Sequence, residues 1–152
     1  MLRYLSASDP RFKSLTFHPG LNILVADTTG TSTETDSRNS AGKSSMIEIL
    51  HFLLGGSSDK NSLPAHPQLR QTTFRLRFDW PGLPDGLTVE RSGANASTIR
   101  LHPLPTGVGS DQLDLGDGQV SLAEWQALIE RDLFGLPTEV ISTRFVAMFE
   151  VK

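Results

Sequence analysis

Asp36–Ser45 reads D-S-R-N-S-A-G-K-S-S, and this stretch decides which fold the sequence predicts. Its Gly-Lys-Ser tripeptide, residues 42–44, is followed directly by a helical pattern over Met46–Leu54, and the apolar segment Leu21–Val25 precedes it. A Gly-Lys-Ser sequence between a strand and a helix is typical of a phosphate-binding loop, because backbone N–H groups and the positive helix end face the anion. The stretch therefore predicts a nucleotide site at the start of this helix.

The residue types of the loop assign a role to each part of the site. Lys43 is expected to reach the β- and γ-phosphates of ATP, and the Ser44 hydroxyl is expected to bind Mg²⁺. The backbone around them wraps the polyphosphate, which makes nucleotide-binding candidates of Ser40, Ala41, Gly42 and Ser45. One position departs from the Walker pattern G-x-x-x-x-G-K-[ST], because Ser37 stands where the pattern has its first Gly.

Length and composition limit which classes of protein and which kinds of site the sequence can form. A chain of 152 residues predicts a single domain over 1–152. There is no cysteine, which excludes disulfides and thiolate metal sites, and the four histidines lack ligand spacing. No run of 18 apolar residues occurs and the N-terminus lacks an apolar signal core, so we expect a cytoplasmic protein with no membrane partner. With a net charge of −3, the chain as a whole does not attract nucleic acid, so any contact with nucleic acid has to be local.

The segments around the loop predict a buried sheet. Residues 1–17 indicate a pair of strands, and the nearly continuous apolar character of Leu21–Val25 indicates a strand covered on both faces. Residues 26–36 are rich in Thr and Ser and predict an exposed loop. The helix over Met46–Leu54 carries apolar residues around most of its circumference, which predicts burial on nearly all sides.

The second half of the chain predicts antiparallel strands and one further helix. Residues 72–102 contain three alternating segments joined by turns, which is typical of an antiparallel meander with one solvated face. That face is expected to carry Arg75, Arg77, Arg91 and Arg100, either as a contact for a DNA backbone or as a solvated surface balanced by acids. A helix is expected over 121–134, with Ser121 and Glu124 as a capping box.

The order of these segments resembles the N-terminal part of SMC/RecF/RecN-type ATPases, ABC-class heads of chromosome maintenance and DNA repair. The resemblance is specific over residues 11–56 and rests on four segments, with a looser match of element order up to residue 135. The segments are Phe12-Lys13-Ser14-Leu15, Pro19-Gly20-Leu21-Asn22-Ile23-Leu24-Val25, Asn39-Ser40-Ala41-Gly42-Lys43-Ser44-Ser45 and Ile49–Gly55. The chain is most similar to bacterial SMC-like proteins that carry a D-S-R-N-x-x-G-K-S-S loop.

The resemblance implies an α/β (α+β) fold: a P-loop NTPase, ABC-type N-terminal lobe with a mixed sheet around the P-loop helix and an antiparallel β meander attached. It implies ATP and Mg²⁺ as cofactors, with Asn39 as the loop asparagine and Lys13 as a basic residue near the nucleotide. It also implies two protein partners, the C-terminal half of the same head and a second head in an ATP-dependent homodimer. Three positions depart from the family, because Ser37 and Ser40 replace loop glycines and Lys13 replaces an arginine.

The sequence shows no apolar strand that ends in Asp-Glu and no ABC signature motif. We therefore expect these residues to be part of a longer ATPase and to hydrolyse almost no ATP by themselves. Two alternatives remain open. One is a non-catalytic interaction module with a degenerate loop, which the serines at positions 37 and 40 favour. The other is a different P-loop enzyme such as a small kinase, although antiparallel strands rather than alternating β and α segments follow the loop.

Overall fold

The computed structural model describes residues 1–24, 42–105 and 118–136. Three predictions lie outside these residues: the roles of Asn39, Ser40 and Ala41, the exposed loop over 26–36, and the identity of Val25 as a strand residue. The described elements are strands β1 (Leu2–Ala7), β2 (Leu15–Thr16), β3 (Thr73–Trp80), β4 (Leu83–Ser92), β5 (Thr98–His102) and β6 (Gln119–Ser121), and helices α1 (Lys43–Leu53) and α2 (Leu122–Phe134).

The six strands form one sheet in the order β2-β1-β3-β4-β5-β6. Every neighbouring pair is antiparallel. The fold of the described residues is therefore α+β, and the predicted mixed sheet around the helix is wrong for this part of the chain. Short turns join β3 to β4 and β4 to β5, whereas a parallel pair needs a crossover of about a dozen residues or more.

The predicted strand over Leu21–Val25 is wrong for its described part. Residues 21–24 have no strand conformation, and the side chains of Leu21 and Ile23 are 85% and 74% exposed. The apolar pattern indicated burial on two faces, but no described strand lies beside these residues. The short-range bonds of Asn22 with His18 fix a local turn here instead.

Both helices pack on the same face of the sheet. α1 contacts β3 and β4, and α2 contacts β5 and β6. Phe52 of α1 meets Phe74 of β3 edge-on, and Trp125 of α2 stacks on Trp80 of β3 with ring centroids 5.5 Å apart. One core cluster therefore joins the sheet to both helices.

The burial of α1 differs from the predicted burial on nearly all sides. Ile49, Phe52 and Leu53 are buried, whereas the Ile47 side chain is 64% exposed. The reason is that α1 lies on one face of a sheet, so only one side of its circumference meets the core.

The other local predictions agree with the structure. β1 and β2 pair as expected for residues 1–17, and β3, β4 and β5 form the expected meander. Ser121 caps α2 together with Glu124, which confirms the capping box.

Candidate functional site

The N-terminus of α1 has no side-chain cap. Gly42 occupies the N-cap position in the left-handed conformation, with φ of 76°. Because glycine has no side chain, it offers no side-chain cap to the helix. The first helical hydrogen bond runs from the Met46 N–H to the Gly42 carbonyl at 2.9 Å. The first turn, which starts at Lys43, contains no acidic residue. Within the part of the chain that the structure describes, no side chain therefore caps the first N–H groups of α1, which lie at the positive end of the helix dipole and can bind an anion.

The second helix of the same chain shows the opposite arrangement. The Ser121 Oγ accepts a hydrogen bond from the Glu124 N–H at 3.2 Å, and Glu124 accepts one from the Ser121 N–H at 2.7 Å. The hydrogen bonds that the Ser121 N–H and, second, the Ser121 hydroxyl donate to the Glu124 carboxylate lower the pKa of this group. α2 thus carries its own anion at its positive end, and α1 does not.

The C-terminus of α1 is fixed by a buried cation. Arg91 of β4 is 2% exposed, and its Nη1 donates to the carbonyls of Phe52 and Gly56, the latter at 2.8 Å. Its Nε donates to the Ala96 carbonyl at 2.7 Å, and the guanidinium lies 4.0 Å above the Phe52 ring. Burial lowers the pKa of Arg91 to about 10, so the group stays protonated at neutral pH. A cation at the negative end of a helix is favourable.

This position corrects one prediction. Arg91 was expected on the solvated face with Arg75, Arg77 and Arg100, but it points into the core. Its neighbour Glu90 takes the solvated side instead, because successive residues of a strand alternate between faces.

Helix α2 holds the same end of α1 through two side chains. The Trp125 Nε1–H donates to the Leu53 carbonyl at 3.0 Å, and the Gln126 Nε2–H donates to the Gly55 carbonyl at 2.7 Å. Carbonyls of the last turn of α1 and of the two glycines after it are therefore bound from both β4 and α2. α1 is anchored at its negative end, whereas no described side chain caps its positive end.

The predicted site residues divide into three groups. Gly42, Lys43, Ser44 and Ser45 lie together at the start of α1, where Ser44 is exposed and Lys43 is partly buried. Lys13 is exposed on the connection between β1 and β2, and no hydrogen bond or ion pair between described residues joins it to α1. The other three, Asn39, Ser40 and Ala41, belong to the part of the chain that is not described.

Sequence reasoning missed the residues that fix α1. The pattern of the helix over 121–134 does not indicate that Trp125 donates to α1, and the alternation of residues 72–102 is wrongly taken to place Arg91 on the solvated face. The sequence contains one signal for Arg91. It follows Leu87 and Val89 in steps of two residues along β4, and residues two apart in a strand lie on the same face of the sheet. The identity of its partners depends on contacts between distant segments, which the sequence pattern does not contain.

A metal at this site would depend on the Ser44 hydroxyl and on phosphate oxygens of a bound nucleotide. Within residues 1–24, 42–105 and 118–136, no three His, Asp or Glu side chains are grouped as a metal site. The exposed Ser44 hydroxyl at the start of α1 fits the role expected for it.

Comparison with protein-family profiles, curated proteins and solved structures gave no match. Neither of the two described helices has the length and apolar character needed to cross a membrane.

Proposed function

We propose that the N-terminus of α1 binds the phosphates of Mg-ATP, and that the chain is the ATP-binding lobe of an SMC-like ATPase. The observation that supports this most directly is the asymmetry of α1. Its C-terminal carbonyls are held by Arg91, Trp125 and Gln126, whereas its N-terminal N–H groups have no side-chain cap. A helix that is fixed at one end, and whose other end carries Lys43 and Ser44 without a cap from any described side chain, suits a polyphosphate ligand.

The residues of this site would hold the cofactor in distinct ways. The backbone at Gly42 lets the chain approach the phosphates, since a side chain is missing there. Lys43 would neutralise phosphate charge, and the Ser44 hydroxyl would orient the magnesium ion. When bound, Mg-ATP would supply the phosphate groups through which two heads are joined. Asn39, Ser40, Ala41 and Ser45 complete the proposed loop, with Lys13 near the nucleotide.

The proposal includes two protein partners in a cytoplasmic complex. Leu21, Ile23 and Leu24 are exposed apolar side chains in one short segment, and Ile47 of α1 is exposed as well. Apolar groups in such numbers favour contact with another protein surface. We propose that these side chains contact the C-terminal half of the same ATPase head, with a second head joining on ATP binding. The work of the complex would be DNA repair, chromosome maintenance or defence against foreign DNA.

A second candidate is an interaction module that binds nucleotide weakly or not at all. The antiparallel sheet of the described residues favours it, because nucleotide-binding P-loop folds place the loop after a strand of a parallel or mixed sheet. The serines at positions 37 and 40 favour it too.

Isothermal titration with Mg-ATP separates the two candidates. We expect the wild-type chain to bind, and Lys43→Ala to weaken binding by about tenfold or more because a charge-assisted contact is lost. Lys60→Ala is the matched control, since it removes an exposed lysine from the segment after α1. Absence of binding by the wild type at millimolar nucleotide, or equal binding by Lys43→Ala, would rule out the nucleotide site.

Chelation tests the metal role separately. We expect EDTA to weaken ATP binding by the wild type, and to change binding by Ser44→Ala much less, since that variant has already lost the hydroxyl ligand. An equal effect of EDTA on both proteins would show that Ser44 does not bind the metal.

A further inference from the structure

The face of the sheet opposite the helices carries three arginines, Arg75, Arg77 and Arg100, and no described helix lies on it. Along each strand the buried residues face α1 and α2, and the residues between them point away. No described helix covers this second face, which we call the open sheet face. Its central members are Tyr4, Arg75, Arg77, Thr88, Glu90, Arg100 and His102.

Acidic partners neutralise only part of the positive charge on the open sheet face. Glu90 forms an ion pair with Arg75, and Asp79 forms one with Arg3. The guanidinium of Arg77 instead donates to the Asp85 backbone carbonyl at 2.8 Å. Among the described residues no carboxylate pairs with Arg77 or Arg100. Two guanidiniums on this face therefore keep their charge available to an external anion.

A polar depression surrounds Arg100 on the same face. Its volume is about 200 Å³, and the polar side chains of Ser92, Asn95, Thr98 and Gln119 line it together with the Glu90 carboxylate, whose charge is paired with Arg75. Arg100 lies opposite Gln119 in β6 and opposite Glu90 in β4. Hydroxyls, amides and a guanidinium are the groups that proteins use to bind phosphate oxygens, so the depression suits a single phosphate group.

An exposed aromatic ring lies on the other side of the charged residues. Tyr4 of β1 is 41% exposed and lies opposite Arg77 of β3, while Thr88 and then His102 follow across β4 and β5. With strands roughly 4.8 Å apart, this row from Tyr4 to His102 is about 14 Å long. An aromatic face beside cations spaced over several strands is typical of surfaces on which unpaired bases stack while arginines contact the backbone.

We propose that the open sheet face binds single-stranded nucleic acid, with one base on Tyr4 and phosphates at Arg77 and in the depression at Arg100. The surface is several strands wide, whereas the major groove of a duplex admits a helix or a two-stranded ribbon. A single strand, whose bases are free to lie flat on the sheet, fits this surface better. The net charge of −3 does not oppose this, because the contact is local. The inference does not depend on the ATP site.

Fluorescence anisotropy with a labelled oligothymidylate tests the surface. We expect the wild type to bind at low salt and the double variant Arg77→Ala/Arg100→Ala to bind at least about tenfold more weakly. The slope of log affinity against log salt should fall by about 1.4, since each contact to a single-stranded phosphate contributes about 0.7. The matched control is Lys60→Ala/Arg70→Ala, which removes two exposed charges from the segment between α1 and β3. It should bind as the wild type does.

Tyr4→Leu separates base stacking from charge. It keeps an apolar side chain at the same place and should weaken binding about tenfold with an unchanged salt slope. A duplex of the same sequence should bind more weakly than the single strand and should not respond to Tyr4→Leu.

Three results would overturn the proposal: no binding of the oligothymidylate by the wild type, an equal loss in the Lys60/Arg70 control, or a duplex that binds as tightly as the single strand. Circular dichroism melting checks that the variants are folded, which their exposed positions favour. Lys43→Ala should leave oligothymidylate binding unchanged. Loss of the ATP site and loss of this surface are therefore distinguishable.

Discussion

At the scale of single residues, Gly42 tests whether the α1 N-terminus binds phosphate through its backbone. Gly42→Ala places a Cβ in open space, but at φ of 76° the side chain costs about 1 kcal/mol of folding stability. Gly82, in the turn between β3 and β4, has the same φ and equally open surroundings, which makes Gly82→Ala a matched control. We expect both variants to lose similar stability in urea denaturation.

Only Gly42→Ala should also weaken Mg-ATP binding in isothermal titration. The reason is that a methyl group at Gly42 occupies space that a phosphate needs beside the backbone N–H groups. If Gly42→Ala and Gly82→Ala bind Mg-ATP equally, the phosphates do not approach the backbone at this position.

Arg91 supports a second prediction at this scale, because it binds three carbonyls and forms no ion pair with any carboxylate of the described residues. Arg91→Met keeps much of the side-chain volume and leaves the carbonyls of Phe52, Gly56 and Ala96 without this donor. At about 1 kcal/mol per lost bond, the free energy of unfolding should fall by about 3 kcal/mol. Arg100→Met on the neighbouring strand is exposed and should change it by about 0.5 kcal/mol or less. A stable Arg91→Met variant in urea denaturation would show that these carbonyls do not need the guanidinium.

At the scale of elements, the capping box of α2 links stability to pH. Hydrogen bonds from Ser121 lower the folded-state pKa of Glu124 below its ordinary value of 4.5. The ionised carboxylate therefore stabilises the folded chain above the unfolded pKa, and this contribution is lost as the pH falls through the lower folded value. Ser121→Ala should cost about 1 kcal/mol at pH 7. Urea denaturation at pH 7 and below pH 4 should show a smaller cost in acid.

Glu124→Gln provides the comparison for this pH effect. It removes the titrating group, so the acid-dependent part of the loss in the Ser121→Ala variant should disappear when both substitutions are combined. If Ser121→Ala lowers the free energy of unfolding equally at both pH values in the chain that retains Glu124, the stabilisation by the cap does not depend on the ionised carboxylate.

The elements also show which parts of the fold a single sequence predicts. The helix over 121–134 was predictable because Ser121 and Glu124 cap its start from within three residues and Gly135 ends it locally. The meander was predictable from the strict alternation around Phe74 and Phe78. The apolar run from Leu21 was misleading, because a strand needs a neighbour and its own residues do not say whether one is present.

At the scale of the molecule, the residues of the candidate site and their place at a helix start could be predicted from the sequence. The contacts that hold this helix in position could not. Lys43 and Ser44 follow from the Gly-Lys-Ser sequence and lie at the start of α1 as expected. Their support comes from β4 and α2, which are far away in the chain. The bond from the Trp125 indole to the Leu53 carbonyl spans 72 residues. Such contacts depend on the assembled core, and helical or strand periodicity does not report them.

Trp125 therefore tests whether the two helices form one unit with the sheet. Both tryptophans of the chain, Trp80 and Trp125, are buried and stack on each other, but only the Trp125 indole donates to α1. Trp125→Phe and Trp80→Phe each replace an indole in the core by a smaller phenyl ring. Trp125→Phe should cost about 1 kcal/mol more in urea denaturation, because it also leaves the Leu53 carbonyl without its donor.

Hydrogen exchange locates that difference within the fold. In Trp125→Phe the amides of the last turn of α1, up to Leu54, should exchange faster relative to those of β3, because α2 no longer holds the Leu53 carbonyl. In Trp80→Phe the bond between the helices is kept, so any faster exchange should be shared by β3 and both helices. Equal exchange patterns in the two variants would mean that packing alone, without the indole bond, keeps α1 in place. The N-terminal end of α1, where we propose that phosphate binds, would then owe its position to the core and to Arg91, and Trp125→Phe should leave Mg-ATP affinity unchanged.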